Sequence, residues 1–110
     1  MLSLSPEQLA EVRAILITHI PDRDVYAFGS RVEGNAGKHS DLDLAIDGPV
    51  ALDLRVRARL REAFEESSLP FRVDLIELCA VDAAFRRLVE ERRVLIAGRF
   101  AAHPAAVSVP

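Results

Sequence analysis

Apolar residues recur at helical spacing near the start of the chain, at Leu9, Val12, Leu16 and then His19 or Ile20. In front of them Ser5-Pro6-Glu7-Gln8 supplies a serine cap, a proline in the first turn and a glutamine three residues after the cap. The pattern predicts a helix to about Thr18, ended by Pro21 and Asp22. From Asp24 to Phe28 the chain is rich in β-branched and aromatic residues and stops at Gly29, which predicts a short buried strand. Asp41 to Asp47 then alternates strictly. Leu42, Leu44 and Ile46 take one face of a strand, and Asp41, Asp43, Ala45 and Asp47 take the other.

After Gly48-Pro49, apolar residues at Leu52, Val56, Leu60 and Phe64 repeat every four positions among arginines and glutamates and predict a long amphipathic helix. Ser67-Ser68-Leu69-Pro70 closes it, and Phe71 to Leu78 reads as a third strand with Asp74 in an apolar setting. Asp82 caps a last helix bearing Phe85, Leu88 and Val89, and Val94-Leu95-Ile96 adds a short edge strand. Alternating helix and strand without an internal repeat or linker predicts a single α/β domain over residues 1–97, a small mixed β-sheet with helices packed on it. Residues 98–110, rich in alanine and proline, are expected to be a flexible or partner-docked tail.

Composition narrows the function classes. Half of the 110 residues are apolar, enough for one domain with its own core, and a further recognition domain does not fit within that length. The formal net charge of -3 argues against a broad cationic surface for a nucleic-acid backbone. No run of about eighteen apolar residues and no basic, then apolar start is present, so the expectation is a cytoplasmic protein without a membrane segment. The single cysteine, Cys79, has no partner for an internal disulfide and is expected to be a small buried hydrophobe. Arg55, Arg57, Arg59 and Arg61 are expected to form a solvated face or to pair with Glu62, Glu65 and Glu66, and Tyr26 to be core.

The candidate chemistry lies in the acidic strand. Aspartates at i and i+2 project from one face with α-carbons about 6.6–7 Å apart, and converging carboxylates repel unless cations lie between them. A pair of metal ions about 3.5–4 Å apart relieves that repulsion and forms a phosphoryl-transfer centre. Asp74, on another strand, is the candidate third carboxylate. Magnesium suits such hard oxygen ligands together with substrate phosphates. A glycine at a strand end lets backbone approach a phosphate, Ser30 offers an N–H and a hydroxyl, a short helix over SRVEGNA would favour an anion at its start, and Arg31 would add charge.

Strand, Gly29-Ser30, ten residues, Asp41-Leu42-Asp43 and a later strand aspartate, Asp74 in FRVDLIEL, form a restrictive combination. It resembles the minimal nucleotidyltransferase family of the DNA polymerase β-like superfamily, over about residues 5–97. The resemblance implies that Asp41, Asp43 and Asp74 bind two Mg2+ ions, that Gly29, Ser30 and Arg31 hold the phosphates of ATP, and that Asp74 helps activate the attacking hydroxyl. Stand-alone members of this size resemble antitoxins that transfer AMP to a tyrosine of a cognate HEPN ribonuclease toxin, which implies that partner and a hetero-oligomer. Two alternatives remain beside it: an antitoxin acting by binding alone, and a small-molecule nucleotidyltransferase working with a helical subunit.

Overall fold

A computed structural model describes residues 2–34 and 36–98. Helix α1 spans Pro6–His19 and starts with the predicted reciprocal cap, the Gln8 amide donating to Ser5 Oγ (3.1 Å) and the Ser5 amide to Gln8 Oε1 (3.0 Å). Strand β1 (Val25–Phe28) leads into a single helical turn, α2 (Ser30–Glu33), and strand β2 covers Leu42–Ile46. Asp53 caps α3 (Leu54–Glu65), β3 is Val73–Glu77, Asp82 caps α4 (Ala83–Arg92) and β4 is Val94–Ala97. Each expected element is present; β1, β2 and β3 are one to three residues shorter than the sequence suggested because pairing, not polarity, ends them, while β4 runs one residue further, to Ala97.

The sheet order is β3-β2-β1-β4, with β1 antiparallel to both neighbours and β2 parallel to β3. The parallel pair needs a crossover, which α3 provides. One face of the sheet carries the main core, where Leu42, Leu44 and Ile46 of β2 and Val25 and Ala27 of β1 pack with Val12 and Leu16 of α1 and Leu60 and Phe64 of α3. All of these are buried, which is why the four-residue repeat in α3 persists only on its sheet-facing side. Among the described residues no helix is long and apolar enough to cross a membrane.

Several expectations need correction. The acidic face of β2 is interrupted, because Ala45, between Asp43 and Asp47, is fully buried in a second cluster with Leu78 and Val89 of α4. On α4 itself Val89 alone is buried, while Leu88 is 65% exposed and Phe85 remains partly open to solvent. Cys79 is exposed, not buried, since β3 ends at Glu77 and the cysteine falls in the following turn. Tyr26 is half-buried, its ring covered by the Arg93 guanidinium 4.0 Å away. Arg57 does not stay on a solvated face. It forms an ion pair with the buried Glu77 and also donates to the Leu75 carbonyl (3.3 Å), and Glu77 in turn accepts from the Leu52 amide (2.6 Å). The expected tail from Arg99 onward lies outside the described residues.

Candidate active site

Strand register assembles the acidic cluster. Asp43 pairs with Asp74 across the parallel β2–β3 ladder and with Phe28 across the antiparallel β1–β2 ladder. The residue after Phe28 is Gly29, so the end of β1 delivers the Gly-Ser bend to the same carboxylate. Gly29 has φ 80° and ψ −155°, and a Cβ built on it would overlap the Asp43 carboxylate. Two separate requirements therefore demand glycine there, a positive φ and a close approach. Past the bend, the Val32 and Glu33 amides both donate to the Gly29 carbonyl (3.0 Å each), and the Gly34 amide returns to the Ser30 carbonyl (3.1 Å), closing the one-turn helix that carries Ser30.

Asp41 sits just outside β2, with its side chain 43% exposed, while Asp74 is 53% exposed and Asp43 lies deeper between them. Burial pushes the Asp43 carboxyl above the usual aspartate range, and the charges of Asp74 and then Asp41 push it the same way. The three carboxylates thus stand close enough to repel. Arg72, which the sequence reading did not single out, brings its guanidinium Nη2 to 3.8 Å from Asp41 Oδ2 and 3.6 Å from Asp74 Oδ1. Two residues before Asp74 at the mouth of a strand, it lies on the same face, the same i, i+2 rule that paired Asp41 with Asp43. That spacing was the signal available for it.

Arg31 does different work from that expected. It is 4% exposed, and its three guanidinium nitrogens donate to the carbonyls of Ser40 (2.9 Å), Ser3 (2.8 Å) and Lys38 (3.1 Å). Its guanidinium also stacks 4.0 Å above the Phe71 ring. The charge is committed to tying α2, the loop before Asp41 and the approach to β3 into one unit. Lys38 and His39 are exposed on that loop, and His39 Nδ1 lies 3.4 Å from the Pro70 carbonyl.

The oxygen donors of this cluster suit a hard divalent cation. Mutual repulsion around Asp43 and a guanidinium nitrogen spanning Asp41 and Asp74 both mark a position where positive charge is stabilised. Among the described residues no three His, Cys, Asp or Glu side chains are already drawn into a ligand cage. Magnesium does not require one, since it keeps waters and substrate phosphates among its ligands.

The model of a nucleotidyltransferase domain family matches residues 9–99. The chain belongs to that family. A relative in Haemophilus influenzae, named Probable protein adenylyltransferase MntA, is 48% identical over 95 residues, 86% of this chain and 83% of the relative. Among solved structures, one of a toxin–antitoxin with AMP-PNP superposes with a TM-score of 0.68 at 26% identity, covering 82% of this chain and 73% of that one. Another, of the toxin–antitoxin MntA-HepT, has a TM-score of 0.59 at 21% identity over 91% and 81% of the two chains, a likeness of fold. The nucleotidyltransferase domain accordingly includes both the Gly-Ser bend and the aspartate strand, and its substrate is a nucleotide.

Proposed function

We propose that this nucleotidyltransferase is an adenylyltransferase antitoxin, which moves AMP from ATP to a tyrosine hydroxyl of a cognate HEPN ribonuclease in the cytoplasm and so silences it. The observation that carries the reading is the meeting of Gly29 with Asp43 beside Asp74, a phosphate cradle and a carboxylate pair within reach of one nucleotide. The 48% identity to a relative named as a protein adenylyltransferase supports the reaction type, and the toxin–antitoxin with AMP-PNP supports ATP and the partner class.

In this reading Gly29 and Ser30 cradle the nucleotide's phosphates at the start of α2, while Arg31 holds the cradle from behind. Asp41, Asp43 and Asp74 would hold two Mg2+ ions, which when bound neutralise the triphosphate and align it for in-line displacement. The tyrosine oxygen attacks the α-phosphorus as the bond to the bridging oxygen breaks and pyrophosphate departs. The phenolic proton passes to Asp74, the most exposed of the three carboxylates and so the one an incoming acceptor meets first. The protein's contribution is positioning and charge compensation.

Incubating the purified chain with labelled ATP, Mg2+ and the HEPN protein encoded beside it should transfer label to that protein. Absence of transfer with a folded chain refutes the enzymatic reading. Protection from the toxin that survives an Asp41→Asn, Asp43→Asn double substitution would instead favour silencing by binding alone.

A further inference from the structure

We propose that the Arg72 guanidinium and a divalent cation compete for the same carboxylates, so that Arg72 sets the metal concentration at which the site loads. The inference rests on the metal-assisted reading above. One nitrogen of Arg72 reaches from the approach to β3 across to the residue preceding β2, within 4 Å of both Asp41 and Asp74. These are the two carboxylates that flank Asp43 and whose charges bear on it. Arg72 thereby supplies the positive charge that three converging aspartates need, from the chain itself.

The hold is weak enough to be reversible. At 3.6 and 3.8 Å the contacts are charge pairs longer than a hydrogen bond, and the arginine is 78% exposed, so water and salt screen them. A divalent ion carries twice the charge and binds oxygens at shorter range, about 2.0–2.1 Å for Mg2+, so it wins once its concentration suffices. The displaced side chain has somewhere to go. Arg72 lines an open cavity of about 430 Å3 with Arg61, Glu65, Phe71 and Asp74.

Two exposed pairs of this kind should weaken the apparent metal affinity about three- to tenfold. The test is a titration of the nucleotide-free full chain with Mn2+, followed by the electron paramagnetic resonance of the unbound ion. Arg72→Gln should bind Mn2+ about three- to tenfold more tightly than the wild type, and Arg72→Lys, which keeps the charge, should stay within about twofold of it. Arg61→Gln removes an equal charge from the same cavity without touching Asp41 and should shift affinity less than about twofold. Unchanged or weaker binding by Arg72→Gln, or an equal shift from Arg61→Gln, would overturn the proposal while leaving the metal reading intact. If the wild-type chain bound no Mn2+, or if Asp43→Asn bound it equally well, the metal reading would fail and this inference with it.

Discussion

Arg31 separates two accounts of the phosphate site, a direct ligand of the nucleotide and a staple behind it. Replacing it with alanine removes one charged donor from each of three carbonyls, at Ser3, Lys38 and Ser40, and a guanidinium from the face of Phe71. A hydrogen bond to a charged group contributes about 1.5–3 kcal/mol and a cation–π contact about 0.5–1 kcal/mol or more. The three carbonyls lie in part-buried stretches near the surface, where water can replace some of what is lost. The net destabilisation should therefore be about 3 kcal/mol, well below the sum of the separate contacts. In a domain of this size that lowers Tm by about 12 °C, measured by circular dichroism or calorimetry. Arg31→Lys should recover less than half, because an ammonium lacks the planar fork that reaches three carbonyls at once. Below the melting range both variants should lose kcat as well as ATP affinity, since the loop leading to Asp41 is loosened along with the bend. A Tm within about 1 °C of the wild type, together with a large rise in KM for ATP alone, would refute the staple and restore a direct phosphate contact.

Asp43→Asn should reduce nucleotidyl transfer by about a hundredfold or more, the scale of losing one preorganised electrostatic group, and yet raise stability at neutral pH. The direction follows from the raised Asp43 carboxyl: the folded state holds that proton more tightly than the unfolded one, so wild-type stability falls as pH rises from the ordinary aspartate range through the raised folded value. Urea unfolding of both proteins at pH 4 and pH 7 checks it, with the advantage of the asparagine variant largest at the higher pH. Gly29→Ala should cost about 1–3 kcal/mol for the positive φ and the overlap with Asp43, and steady-state kinetics at a permissive temperature should show transfer falling too. Arg57→Ala, which strands the buried Glu77 carboxylate, should cost about 3–5 kcal/mol in urea unfolding, and Glu77→Ala, which leaves the Leu52 amide and the more exposed Arg57, should cost less because water can reach the arginine left behind.

Local periodicity and capping chemistry were enough to read the order of elements, the helix starts at Ser5 and Asp82, and the candidate trio Asp41, Asp43 and Asp74 with the bend at Gly29-Ser30. These features depend on neighbours within a turn or a strand, which a linear pattern contains. The sequence alone could not say that Asp43 would lie opposite Asp74, because strand order and register follow from burying Leu42, Leu44 and Ile46 against α1 and α3. Nor could it say that Gly29 would meet Asp43, that Arg31 would turn inward, that Arg57 would find Glu77, or that Cys79 would be exposed. Arginine looks alike in a sequence whether it faces water or three carbonyls. Its role is decided by which distant backbone the folded chain brings within reach of its donors, and only the packed tertiary structure determines that.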